Sequence, residues 1–236
     1  MRTIGILGGM SWQSSVDYYR YINTGVAERL GGYHSARTLM LSVDFAEIEA
    51  LQAADDWDAA GQRLAEDARA LEAGGAGAVV LATNTMHRVA PAIQAAVSIP
   101  LLHIADPTGE AIRDAGLARV ALLGTRYTME QEFYRGRLVE RFGLDVLVPD
   151  EPDRTRVHDV IYNELVHGVV QDESREAYRS VVARLVERGA EGVILGCTEI
   201  GLLLSAADVP VPVFDTTRLH CEAAVDWLLD EVPAEG

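Results

Sequence analysis

Short apolar runs bounded by glycine or proline recur along the chain, at Thr3–Leu7, Thr38–Val43, Ala78–Ala82, Pro100–Ile104, Val120–Leu123, Asp145–Val148, Gly192–Leu195 and Val211–Phe214. Continuous rather than alternating apolar character is the pattern of strands covered on both faces. Between most of these runs, apolar residues return every three or four positions, as over Ser15–Leu30, Trp57–Ala73, Met129–Phe142, Arg156–Val166 and Ser174–Arg188. That spacing gives a helix one buried face. Strand and helix in alternation predict an α/β fold of parallel sheets joined by crossover helices.

The alternation is written twice. Ala73-Gly-Gly-Ala-Gly-Ala-Val-Val-Leu-Ala-Thr83 is echoed by Glu187-Arg-Gly-Ala-Glu-Gly-Val-Ile-Leu-Gly-Cys197. Thr3-Ile-Gly-Ile-Leu-Gly-Gly9 is echoed by Arg119-Val-Ala-Leu-Leu-Gly-Thr125, and Ile99–Asp106 by Val209–Asp215. The three echoes keep their order at offsets of roughly 110–116 residues. Two pseudo-symmetric lobes follow, 1–104 and 105–215, each a short parallel sheet flanked by helices, with the active site expected in the cleft between them. An amphipathic helix in the remaining segment, 216–236, is expected to pack back on the first lobe. Open α/β sheets bind ligands outside the carboxyl ends of their strands. Each lobe therefore offers a half-site, one presenting Thr83 and the other Cys197.

Net charge narrows the partners. With 36 acidic and 20 basic residues the formal charge is −16, which leaves no basic stripe for nucleic acid or anionic lipid. No apolar run approaches the ~20 residues of a membrane span, and the apolar stretch at the amino terminus is shorter than a signal-peptide core. A cytoplasmic protein acting on a small molecule is expected. Every basic residue is arginine, so Schiff-base lysine chemistry and covalently held pyridoxal phosphate are excluded. The six histidines are scattered and no CxxC is present, so no metal site is expected.

Cys197 follows Val193-Ile-Leu-Gly, at a strand end ahead of an expected helix. Backbone amides and a helix dipole there would lower its pKa from about 8.5, leaving it able to act as base, nucleophile or acid. Cys221, beside His220 near the end of the chain, reads as core packing.

Ile4-Gly-Ile-Leu-Gly-Gly-Met10, Thr83-Asn-Thr-Met-His87 and Gly196-Cys-Thr-Glu-Ile200 resemble the three signature segments of the aspartate/glutamate racemase family. Leu102–Gly109 and Val120–Gln131 add to a likeness that spans essentially the whole chain, with Gly-Cys-Thr-Glu its most specific part. The resemblance implies racemisation without a cofactor, in which two cysteines, one per lobe, face the α-carbon from opposite sides. It makes Cys197 one acid/base and position 83 the other, and it implies a homodimer, although no exposed apolar stripe is evident. Here the chain departs from the pattern, because residue 83 is threonine. A hydroxyl donates a hydrogen bond and can relay a proton but is a poor base; Thr83 serves either that role or only as a cap for the next helix. A slow or atypical racemase is the expectation.

Asn84, Thr85 and Thr198 follow the two strand ends, where amides and hydroxyls converge on an anion. By family likeness they and Met10 hold the α-carboxylate and amino group. Glu199 and His87 either orient or shield the catalytic side chains or serve as structural hydrogen-bonding residues. For the substrate side chain, relatives specific for aspartate use basic residues. Here none lies between Arg37 and Arg63, which leaves Gln52, and the segment Glu164–Gly168 offers only His167. A neutral or broad range of α-amino acids fits this better than strict aspartate or glutamate selectivity. Two other readings stay open: a single-cysteine decarboxylase of malonate-type acids on the same scaffold, and a non-catalytic amino-acid-binding protein.

Overall fold

The computed structural model describes residues 1–230; positions 231–236 of the expected terminal helix lie outside the described residues. The chain runs β1 (Ile4–Gly8), α1 (Trp12–Leu30), β2 (Thr38–Ser42), α2 (Phe45–Ala53), α3 (Trp57–Ala73), β3 (Ala78–Leu81), α4 (Ala90–Ala96) and β4 (Leu101–Leu102). It continues through α5 (Ala105–Asp114), β5 (Arg119–Gly124), α6 (Arg126–Glu130), α7 (Glu132–Phe142), β6 (Asp145–Leu147), α8 (Asp153–Asn163), α9 (Asp172–Glu187), β7 (Gly192–Gly196), β8 (Val213–Asp215) and α10 (Thr216–Leu229). Two compact units result, one formed by Met1–His103 with the chain from His220 onward, the other by Ile104–Leu219. No helix among the described residues is long and apolar enough to cross a membrane.

Each unit holds a four-stranded parallel sheet, in the orders β2-β1-β3-β4 and β6-β5-β7-β8. The duplication reaches the register: Ile4 faces Ala78 as Val120 faces Gly192, and Leu7 faces Leu81 as Leu123 faces Leu195. In both sheets the chain steps to one side of its first strand and then returns to the other. Such a reversal splays the connections apart and opens a crevice at the carboxyl ends of the two central strands. For these sheets that means the ends of β1 and β3, and of β5 and β7.

The helix ends are duplicated too. Gly75 and Gly189 both turn the chain with positive φ, 95° and 96°. Two residues after each, the amide immediately before the strand donates to the carbonyl preceding or opening the first sheet strand: Gly77 N to Thr3 O and Glu191 N to Arg119 O, both at 2.8 Å. At the end of β1, Gly9 takes φ 94°. A Cβ there would stand 2.3 Å from the Val43 carbonyl oxygen, so only glycine permits this turn. Ser11 caps α1 through the Ser14 amide, and Ser15 Oγ accepts from Gly9 N at 2.8 Å.

Both units bury their sheets as the apolar runs require. In the first, Ile4, Ile6 and Val80 pack with Tyr18 and Ile22 of α1 and with Cys221, Ala224, Val225 and Leu228 of α10. Cys221 is thus a core residue. In the second, α8 and α9 cover one face through Val157, Tyr178 and Val182, and α5 and α7 the other through Ile112 and Leu138.

Three local differences from the sequence reading stand out. The helix expected over Met129–Phe142 starts earlier, because Thr125 caps α6, and it breaks at Gln131, whose extended backbone (φ −99°, ψ 151°) ends one helix and opens the next. Second, α2 forms behind an Asp44 cap that bonds the Ala46 amide. Third, Trp12, Val16 and Tyr19 are exposed at helical spacing along α1, a stripe not evident from the apolar pattern.

Candidate active site

In the first unit, β3 ends at Leu81 and the chain tightens at once: Thr83 N donates to Leu81 O at 2.8 Å. A one-turn 3-10 helix, Thr85–Val89, follows. Thr83, Asn84, Thr85 and His87 are all buried. His87 Nδ1 lies 2.7 Å from the Thr83 carbonyl oxygen; a carbonyl only accepts, so Nδ1 carries the hydrogen. Gln52, in the last turn of α2, is buried and donates through Nε2 to the Met86 sulfur at 2.9 Å. Met10 is buried in the turn after β1. Met10, Gln52, Thr83, Asn84 and Thr85 therefore belong to the loops after β1 and β3 or to the helix packed on them.

Two more histidines stand beside His87. Its ring meets that of His103 edge-on at 4.5 Å and that of His220 at 5.9 Å. His220 is held on both nitrogens, Nε2 at 2.7 Å from Leu102 O and Nδ1 at 2.8 Å from the Tyr18 hydroxyl. Leu102 precedes one point where the chain passes between units, after His103, and His220 follows the other. His103, His220 and Tyr18 escape a sequence reading because they come from segments far apart along the chain.

In the second unit, Cys197 stands one residue past β7 and two past Leu195, as Thr83 stands two past Leu81, the residue that matches Leu195 in register. Its Sγ donates to Glu199 Oε2 at 2.9 Å, and Thr198 Oγ1 donates to the same oxygen at 2.8 Å. The expected helix dipole is absent: a single 3-10 turn, Ile200–Leu202, follows. The thiol is accordingly pushed well above its ordinary range, not below it. Burial among Leu195, Ile200 and Tyr178 is the main cause, and the adjacent Glu199 charge adds to it. The amides of Glu199 and Thr198 oppose the shift without cancelling it. Cys197 at rest is a thiol. Burial, with the nearby Cys197, likewise drives the Tyr178 phenol well upward.

At the end of β5, Thr125 and Thr128 form the counterpart of the Ser11–Ser14 cap after β1, with Thr128 N donating to Thr125 Oγ1 at 3.3 Å and the hydroxyls 3.2 Å apart. The register match of β5 to β1 is the signal that could have found them. The Arg126 amide of this loop donates to His158 Nδ1 at 3.2 Å. Burial, then Arg126, lowers the His158 pKa, against smaller opposing effects of Asp159 and Glu130. His167 is exposed at the turn closed by Gly168.

The second unit thus holds a buried thiol that donates to a carboxylate, an arrangement chemically able to pass a proton. The model of the Asp/Glu/Hydantoin racemase family matches residues 7–224. The crystal structure of a provisionally named Asp/Glu racemase from Yersinia pestis is similar with a TM-score of 0.91 and 52% identity, covering 97% of this chain and 100% of that one. An aspartate racemase homologue from Pyrococcus horikoshii OT3 gives 0.83 and 34%, covering 98% of this chain and 100% of that one. RacX of Bacillus subtilis (strain 168), a broad specificity amino-acid racemase, is 24% identical over 177 residues, 74% of each chain.

Proposed function

Because this chain belongs to the Asp/Glu/hydantoin racemase family and is an isomerase of the amino-acid racemase kind, we propose that Cys197 and Thr83 invert its substrate by moving protons at opposite faces of the α-carbon. The observation that carries this reading is the Cys197–Glu199 hydrogen bond at the strand end that duplicates the one bearing Thr83.

As a base, Cys197 first yields its proton to Glu199, and the thiolate then takes the α-proton. As an acid, it returns that proton to the carbanion and is recharged from Glu199. On the other face Thr83 delivers or accepts a proton through its hydroxyl and re-equilibrates with solvent. Charge developing on the substrate carboxylate is met by hydroxyls and amides at Asn84, Thr85 and Thr198, and each such donor contributes about 3 kcal/mol where it is preorganised.

Racemisation has an equilibrium constant of one, so kcat/KM is equal for the two enantiomers. A poor base at position 83 slows both directions in the same ratio. The hallmark is fast exchange of the α-proton of one enantiomer without matching inversion.

The substrate is an α-amino acid whose side chain need not be anionic. Gln52, an amide, occupies α2 where no arginine lies between Arg37 and Arg63, and likeness to a broad specificity racemase supports the same view. The test is incubation with single L- and D-amino acids in deuterium oxide, following α-proton loss by NMR and inversion by chiral chromatography, with Cys197→Ala as control. Exchange that disappears in the control is the expected result. No exchange across a broad panel overturns the reading and favours a decarboxylase or a binding protein.

A further inference from the structure

We infer that His87 is a positioning residue for Thr83: its imidazole holds the Thr83 carbonyl and so aims the hydroxyl, a role that rests on the reading of Thr83 as the second proton-transfer group.

Pairing of β3 with β1 ends at Leu81, so the pleat of the sheet no longer dictates where residue 83 points. Two main-chain bonds take over, Thr83 N to Leu81 O at 2.8 Å and His87 Nδ1 to Thr83 O at 2.7 Å. The Thr83 peptide units are clamped on both sides. Threonine is β-branched and restricted at χ1, so a fixed backbone leaves its hydroxyl few directions. The clamp is itself rigid. His87 is 1% exposed, the His103 ring abuts it at 4.5 Å, and the neighbouring His220 is tied to Tyr18 and Leu102.

The second unit solves the same problem differently. Its residue equivalent to His87 is Gly201, four past Cys197, and Cys197 is held through its own side chain by Glu199. One unit orients its group by the side chain and the other by the backbone. The difference suits the chemistry, because a hydroxyl is the weaker proton-transfer group and depends more on alignment. Misplacement of a reacting group by 1 Å can reduce a rate about a hundredfold.

The test compares His87→Leu, which removes the donor, with His87→Asn, whose side-chain amide can donate from nearly the position of Nδ1, and with Thr83→Val. Each is assayed with both enantiomers in deuterium oxide, reading exchange and inversion separately. His87→Leu should slow inversion between tenfold and a hundredfold, while the exchange that depends on Cys197 continues at the parent rate and reports an intact fold. His87→Asn should recover most of the inversion. The inference is overturned if His87→Leu leaves inversion unchanged, if exchange and inversion fall together in both His87 variants, or if His87→Asn fails to restore inversion while exchange stays intact. Thr83→Val separates the two levels. Should it invert substrate like the parent protein, the reading of Thr83 itself fails; should it abolish inversion while His87→Leu does not, only the role of His87 fails.

Discussion

Cys197 is a protected thiol, buried at the end of β7 with its Sγ donating to Glu199 Oε2 and its pKa held well above the ordinary range by that burial and by the neighbouring charge. The sequence placed Cys197 correctly but not its environment, because the shift comes from burial and from Glu199 folding back onto Sγ, neither of which is a property of spacing. Glu199→Gln removes the neighbouring charge and should speed iodoacetamide alkylation of Cys197 at pH 8 while slowing α-proton exchange; an unchanged alkylation rate would refute the account. A folded-state pKa raised above the unfolded value means the unfolded chain ionises first. The contribution of Cys197 to stability is therefore full below about pH 9, its ordinary value, and lost as pH rises beyond it. Urea unfolding of the parent protein and Cys197→Ser across pH 7–11 should show the parent losing ground above pH 9. At the twin position Thr83→Cys supplies a thiol in place of a hydroxyl, and racemisation should rise about tenfold or more.

Elements were legible where one physical rule acts alone. Strands buried on both faces write themselves as unbroken apolar runs, so each expected run overlaps a strand, shortened most at β4 and lengthened at both ends in β5. The break at Gln131 and the helix α2 were not legible, because caps at Thr125 and Asp44 decide them and the apolar spacing does not. The histidine cluster was illegible for another reason: His87, His103 and His220 meet only through the sheet. The duplicated helix ends give a test at this scale. A side chain at positive φ costs about 1–2 kcal/mol, so Gly75→Ala and Gly189→Ala should each lower unfolding free energy by about that amount. Gly189→Ala should cost more, since its Cβ would meet Arg119 Nη1 at 3.1 Å whereas Gly75 faces open space. Equal, negligible losses would show the turns to be looser than drawn.

For the whole molecule the formal charge of −16 sets a long-range field that repels anions. Ion pairs such as Arg119–Asp145, with both side chains about half exposed, add little to stability, but the net field governs approach. Raising ionic strength from 20 to about 200 mM shortens the screening length severalfold. It should increase kcat/KM for an anionic amino acid and leave that for a neutral one nearly unchanged; identical responses would mean that local donors alone control entry.

The docking of α10 against β1 and α1 has a consequence in time. The second unit is continuous, complete once Leu219 has been added, whereas the first waits for Cys221, Ala224, Val225 and Leu228 to fill its core. Domains commonly fold in the order of synthesis. In this chain the half that leaves the ribosome first is the half that must be finished last.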